Sequence, residues 1–173
     1  TVIDGTGSEG LLLDIGIIDG VIVAIDNLQD ADALRTINAH GLIVTPGFID
    51  IHSHSDAIPS DGKAHPRYYG TFPRVLGKYV REDKALTLPE GVRKMTSLPA
   101  QKLGLQDRGM VKVGMWADLV VFDPETIADK ATFSDPRQYP SGIHYVLVNG
   151  QIAAREGRTT GALPGRILRK NLG

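Results

Sequence analysis

The chain has no cysteine among its 173 residues, which excludes a disulfide framework and any thiolate ligand to a metal. It has no run close to the roughly 18 apolar residues that a bilayer-spanning helix needs, and no basic segment followed by an apolar leader. A formal net charge of −1 gives no electrostatic reason to expect nucleic acid or an anionic membrane as a partner. We therefore expect a cytoplasmic protein with neither kind of partner.

Glycine and proline are abundant, with 20 and 10 copies respectively, and they are spread along the chain. This favours many short strands joined by tight turns. In the first third, residues 11–18 and 21–25 are strand-like, and Asp19-Gly20 between them is a hairpin signal. Residues 42–45 form a third apolar run, which Pro46-Gly47 ends.

The middle of the chain changes to helical patterns. Residues 74–82 carry apolar side chains at the spacing of one helix face. Thr87, Pro89 and Glu90 form a helix start, with Thr87 as N-cap. We expect that helix to run to about Leu98, and a second short helix over residues 99–103 to end at Gly104.

The last third returns to strands. Residues 117–122 read as a buried strand, and residues 144–148 and 151–154 flank the type I′ turn signal Asn149-Gly150. The basic residues of the C-terminal tail are expected to be solvated; they are Arg166, Arg169 and Lys170. Two β-rich ends around a helical middle predict one sheet domain built from both ends of the chain.

A histidine pair is the sharpest local feature. Residues 48–51 are expected to begin a strand, which would place His52 and His54 on one face, about 6.6 Å apart along the chain. Both imidazoles could then reach one zinc ion. The alternative is two polar histidines at a strand end that never contact metal, because short motifs often match by chance.

Asp61 and Arg67 follow the histidine pair closely. A carboxylate beside a metal site can take a proton from water and later pass it to a leaving amine. Ser60-Asp61-Gly62 is equally typical of a plain turn. Arg67 has the planar fork that suits a carboxylate, although surface arginines are common. His40 and His144 are interpreted as structural.

These stretches together resemble the amidohydrolase superfamily, and within it the N-acyl-D-amino-acid deacylases (D-aminoacylases). The superfamily signature lies in residues 41–56 (GLIVTPGFIDIHSHSD). More specific matches follow in residues 60–81 (SDGKAHPRYYGTFPRVLGKYVR), 94–100 (KMTSLPA) and 118–124 (DLVVFDP).

The resemblance implies a zinc-dependent hydrolase that splits N-acyl-D-amino acids into a carboxylate and a free D-amino acid. It implies His52 and His54 as metal ligands, Asp61 as the catalytic acid–base and Arg67 as the residue that holds the substrate's α-carboxylate. It also implies a (β/α)8 barrel with a small β-sandwich assembled from both chain ends.

One departure from the family is large. Only Ala57, Ile58 and Pro59 separate the stretch that ends the first barrel strand from the stretch that ends the eighth. A barrel needs roughly 250 residues, so most of it is expected to be missing through an internal deletion, a fragmentary gene model or a designed truncation. The first strand of the sandwich is also expected to be cut off before Thr1.

The predicted fold is therefore mainly β with some α: a small β-sandwich plus a helical segment and a barrel remnant. Residues 1–47 and 105–173 supply the sandwich and a tail, and residues 48–104 supply the ends of barrel strands 1 and 8 and the helices. Exposed faces of the orphaned barrel strands favour self-association. The functional prediction is a truncated, inactive deacylase; the alternative is a non-catalytic β-sandwich fragment or partner-binding module.

Overall fold

A computed structural model describes residues 1–51 and 65–169 of the chain. The fold is mainly β with a few short helices, as predicted. The strands are β1 (Asp14–Ile18), β2 (Val21–Asp26), β3 (Ile43–Pro46), β4 (Leu119–Phe122), β5 (Ile143–Val148), β6 (Gln151–Arg155) and β7 (Arg158–Thr159). The helices are α1 (Arg67–Arg74), a π-helix (Val75–Glu82), α2 (Leu88–Met95) and α3 (Ser97–Leu103).

Strands from both ends of the chain lie in one antiparallel sheet of order β3-β4-β5-β6-β7. The joining pair is β3 with β4, in which Ile43 lies opposite Phe122 and Pro46 opposite Leu119. A second sheet contains β1 and β2. The predicted pairing of the two ends of the chain is confirmed.

The two sheets contact each other through two hairpin turns, one from each sheet. Asp19 and Gly20 have φ of 51° and 84°, and Asn149 and Gly150 have φ of 48° and 76°, the positive values that a type I′ turn requires. The turns touch, because a Cβ added to Gly150 would lie 2.5 Å from the Gly20 Cα. The backbone N–H of Ala117 donates to the Gly20 carbonyl at 2.8 Å, and Gly150 N–H donates to the Ala117 carbonyl at 2.9 Å.

Strand β4 is buried on both faces, which explains its unbroken apolar sequence. Leu119 and Val121 belong to a core cluster that lies between the sheets and takes residues from both ends of the chain: Val2, Ile22, Val44, Val111, Ala117, Leu119, Val121 and Leu147. Val120 and Phe122 point the other way and join a second cluster beneath the helices: Ile3, Leu76, Val92, Met95, Val120, Phe122 and Ile127. The helical middle is therefore packed onto the five-stranded sheet.

The helices differ from the predicted ones at their ends. Helical structure begins at Arg67 rather than near residue 74, and the predicted segment winds as a π-helix, in which Asp83 N–H donates to the Lys78 carbonyl at 2.8 Å. Pro73 lies just before this change and, because it has no N–H, leaves a carbonyl of the preceding turn without its usual donor.

Helix α2 starts at the predicted Thr87 cap, but it ends at Met95 rather than Leu98. Thr96 leaves helical geometry, with φ −130° and ψ −85°. Pro99 then sits in the first turn of α3, where its missing N–H costs no hydrogen bond, and Gly104 ends α3 with φ 73° as predicted.

The strand predicted over residues 48–51 is wrong. Gly47 N–H donates to the Asp118 carbonyl at 2.7 Å and Ile49 N–H to the Met95 carbonyl at 2.9 Å, so this segment is held by the start of β4 and the end of α2. Among the described residues, no other strand lies beside it to form a ladder.

Candidate active site

Three of the four predicted site residues, His52, His54 and Asp61, lie outside the described residues, so their roles stay predictions. The described residues stop at Ile51 before these three residues and resume at His65 after them. On the near side, the Phe48 ring packs on Phe72 of α1 with centroids 5.3 Å apart. Phe48 therefore packs on α1, at the edge of the core cluster beneath the helices.

On the far side, Arg67 is the first residue of α1 and is exposed. Its backbone N–H donates to Nδ1 of His65 at 3.1 Å, and its carbonyl accepts from the Thr71 hydroxyl at 2.7 Å. The guanidinium carbon lies 6.0 Å from the centroid of the Tyr68 ring. The helix start thus presents a cationic guanidinium group to solvent, two positions after His65, where the described residues resume.

An ion pair on α1 shapes the electrostatics of this helix. Arg74 Nη1 donates to Asp129 Oδ2 at 3.0 Å. This hydrogen bond, with a second one involving Tyr79, raises the pKa of Arg74 above its ordinary value. The positive charge of Arg74 is therefore paired with the negative charge of Asp129.

The sequence predictions missed a buried polar network around Arg108. Arg108 is only 8% exposed; Nη1 contacts the Asp118 carboxylate, and Nη2 donates to Asn149 Oδ1 at 2.9 Å. The other Asp118 oxygen accepts the Asn149 backbone N–H at 2.7 Å. The network links β4 to the second hairpin turn, which is a structural role. The family-like stretch DLVVFDP begins at Asp118, so the sequence pointed to this residue but not to its partners.

The C-terminal tail exposes Arg166 and Arg169, as predicted, while Lys170 lies outside the described residues, and the tail also makes contacts with the rest of the fold. Asn149 Nδ2 donates to the Pro164 carbonyl at 2.6 Å. The Arg166 guanidinium lies 4.5 Å from the Trp116 ring centroid, and Arg108 lies 5.7 Å from the same ring. The exposed Arg166 therefore covers an aromatic face.

The other histidines have local contacts that fit structural roles. The backbone N–H of His40 donates to Asn38 Oδ1 at 2.9 Å, and the ring atom Nδ1 of His144 lies 2.9 Å from Glu156 Oε1. Within residues 1–51 and 65–169, no group of three or more histidine and acidic side chains is placed to hold a metal ion. Over the same part of the chain, no helix is long and apolar enough to cross a membrane.

Comparison with known proteins identifies the family. A sequence model of the amidohydrolase family matches residues 55–154. The chain is 51% identical over 117 residues to an N-acyl-D-glutamate deacylase of Alcaligenes xylosoxydans xylosoxydans, covering 68% of this chain and 24% of that protein.

Solved structures agree with this. A crystal structure of D-aminoacylase, described as defining a novel subset of amidohydrolases, superposes with a TM-score of 0.62 at 50% identity, over 63% of this chain and 23% of the other. N-acyl-D-glutamate deacylase from Bordetella bronchiseptica, in complex with zinc and a phosphonate inhibitor, gives a TM-score of 0.53 at 47% identity, over 57% and 22% of the two chains.

The chain spans about a quarter of the length of the relatives it matches. The matched part includes the helices, β4 and the β5–β6 hairpin. Because the family model covers more than half of its residues, the chain belongs to the amidohydrolase family, and within that family it is similar to the N-acyl-D-amino-acid deacylases.

Proposed function

We propose that this chain carries part of the active site of a metal-dependent N-acyl-D-amino-acid deacylase. The observation that carries the proposal is the position of Arg67 on the first turn of α1, directly after the segment that holds His52, His54 and Asp61, in a chain about half identical to named deacylases. The reaction is hydrolysis of the amide of an N-acyl-D-amino acid.

The donor set fits zinc in its chemistry. His52 and His54 supply imidazole nitrogens, a ligand type that zinc accepts, and Asp61 supplies a carboxylate close to them in the sequence. A zinc deacylase of Bordetella bronchiseptica is among the structural relatives. When bound, the cation would supply Lewis-acid polarisation of the amide carbonyl.

Proton transfer falls to Asp61. Its carboxylate takes a proton from the attacking water as the new C–O bond forms, and gives it to the amide nitrogen as the C–N bond breaks. The products are a carboxylate and a free D-amino acid. Arg67 holds the α-carboxylate of the substrate through paired N–H donors, a geometry that lysine cannot reproduce.

We further propose that the two sheets form the composite β-sandwich of the family, and that residues 48–104 retain parts of a catalytic barrel. The shared core of Val2, Val44, Leu119 and Leu147 supports the first point. The three-residue spacing between Asp56 and Ser60 supports the second. Genomic DNA read across that junction tests it: an open frame with about 300 further residues there would show that this chain is not naturally shortened.

A second candidate function is a non-catalytic module that folds and binds a partner. The observation in its favour is the double-sided burial of β4, whose four residues are all buried, so that the described β-rich part has its own closed core. The two candidates differ in metal binding.

Zinc titration followed by calorimetry separates them, with His52→Ala as the test variant and His40→Ala as the matched control. The deacylase proposal predicts zinc binding by the wild type and by His40→Ala, and at least a roughly tenfold loss in His52→Ala, as expected for removal of a ligand. A stably folded wild-type chain that binds zinc no better than His52→Ala would favour the non-catalytic module.

A further inference from the structure

One face of the helical segment 67–82 approaches residues 124–129 unusually closely. Gly70, Arg74, Gly77 and Arg81 recur at intervals of three or four along this face, the spacing of side chains on one side of a helix. We call the contact between this face and residues 124–129 the seam. Three of the four residues on this face, Gly70, Arg74 and Gly77, belong to the GTFPRVLG stretch (residues 70–77), which the proposed chemistry leaves unexplained.

Two glycines make the close approach possible. A Cβ on Gly70 would lie 2.8 Å from the Asp129 Cβ, and one on Gly77 would lie 2.6 Å from the Ile127 carbonyl oxygen. Real side chains essentially never approach so closely, so the helix would have to move away. Neither glycine has a positive φ, so packing rather than backbone conformation requires them.

Two arginines fasten the seam on either side of Gly77. Arg74 pairs with Asp129 at 3.0 Å. Arg81 Nη1 donates to two backbone carbonyls, that of Pro124 at 2.9 Å and that of Ile127 at 2.8 Å. The Arg81 side chain is only 27% exposed, whereas the Arg74 side chain is 50% exposed. The hydrogen bonds of Arg81 are therefore better shielded from water than the Arg74–Asp129 ion pair.

The opposite side of the seam is itself rigid. Ile127 is 1% exposed and belongs to the core beneath the helices. Its N–H donates to the Asp123 carbonyl at 3.0 Å, and Ala128 forms a bridge with Ser141. The seam therefore ties the helix to a fixed part of the fold rather than to a free loop.

We propose that the seam positions the amino end of α1, and that Arg81 is a positioning residue for the carboxylate-binding Arg67. This inference rests on the proposed function, because it presumes that Arg67 holds the substrate carboxylate. Helical structure is continuous from Arg67 to Glu82, so a shift or tilt at Arg81 is transmitted to the first turn, about 20 Å away at the α-helical rise.

The test compares two ligands, N-acetyl-D-methionine and its uncharged carboxamide, titrated into the zinc-loaded chain and followed by the amide resonances of α1. An arginine fork that meets a carboxylate should favour the acid about tenfold. Wild type is expected to show this preference and Arg67→Ala to lose it.

Arg81→Lys is the positioning variant, because it keeps the charge but its side chain ends one atom short of Nη1, the single atom that donates to both carbonyls. Arg93→Lys is the matched control: Arg93 is 30% exposed, but it pairs with Glu90 inside α2, away from the seam. We expect Arg81→Lys to lose most of the acid preference and to exchange the Tyr69 and Gly70 amides faster, while Arg93→Lys behaves as wild type. Gly77→Ala, which keeps every charge, should reproduce the effect if Arg81→Lys folds poorly.

The outcomes separate the inference from the proposed function. A preference that Arg67→Ala abolishes and that both Arg81→Lys and Gly77→Ala retain, with unchanged amide exchange, overturns the positioning role alone. A wild-type chain that binds acid and carboxamide equally overturns the carboxylate role of Arg67, and the positioning role with it.

Discussion

Thr87 shows how a single residue can be read directly from sequence. Its side chain accepts the Glu90 backbone N–H at 3.4 Å, and a proline follows in the first turn of α2, as the Thr-Leu-Pro-Glu order predicts. The prediction succeeded because capping depends only on residues within one turn. Arg108, whose partners are 10 and 41 positions away, could not be found in that way.

Replacing Thr87 by alanine should lower the free energy of unfolding by about 1 kcal/mol, because the helix loses the acceptor for one of its free N–H groups. Urea denaturation measures it. Thr36→Ala, in an exposed loop, is the control and should change stability far less. Equal effects of the two substitutions would contradict the capping role.

Glu90 gives α2 a predictable response to acid. Hydrogen bonds from Arg93, at 2.7 and 2.9 Å, and from Lys94 lower the pKa of Glu90 from 4.5 to about 2. A depressed carboxyl pKa stabilises the fold above the unfolded-state value and loses that contribution as pH falls. Stability should therefore decline from pH 4.5 towards about 2.

The measurement is urea denaturation across that pH range for wild type and Glu90→Gln. The variant has no carboxyl group at this position, so its decline should be shallower than that of wild type. Parallel curves would show that the Glu90 ion pairs contribute nothing to the acid response.

At the scale of elements, turns were predicted more accurately than helix and strand ends. Asp19-Gly20 and Asn149-Gly150 form the expected turns because their residue types tolerate positive φ. The end of α2 at Thr96 and the absence of the strand predicted at residues 48–51 depend instead on tertiary contacts with residues distant in the sequence. Ile49 finds its backbone partner in Met95, a contact that no local pattern contains.

The two touching turns lead to a paired prediction. Gly150 and Gly157 have similar φ, 76° and 71°, but a Cβ would meet Gly20 at 2.5 Å at position 150 and nothing within 4 Å at position 157. Gly157→Ala should cost about 1–2 kcal/mol for the left-handed backbone alone. Gly150→Ala should cost about 1–3 kcal/mol more, because the sheets must separate.

Thermal and urea denaturation of both variants measure this difference. If Gly150→Ala is no less stable than Gly157→Ala, the contact between the turns does not hold the two sheets together.

At the scale of the whole molecule, the composition of the two chain ends predicted their union in one sheet, and the β3–β4 pairing confirms it. The order of strands within the sheet and the seam between the helix and residues 124–129 were not predictable, because they depend on contacts between distant residues. Of the predicted site, the structure places Arg67 at the start of α1, while the histidine pair and Asp61 remain predictions.

The central claim is that this chain carries deacylase site residues but does not turn over substrate alone. Catalytic zinc normally has three protein ligands and an open position, whereas the chain offers His52, His54 and Asp61, the last of which is needed for proton transfer. The barrel walls that would orient substrate are worth roughly 7–11 kcal/mol of barrier, and the three residues between Asp56 and Ser60 leave no room for them.

The decisive experiment is an assay of N-acetyl-D-methionine hydrolysis by the purified chain with added zinc, beside His52→Ala. We expect the wild type to release D-methionine no faster than the His52→Ala variant. Clear turnover by the wild type that His52→Ala abolishes would contradict it and would mean that these 173 residues build a working site.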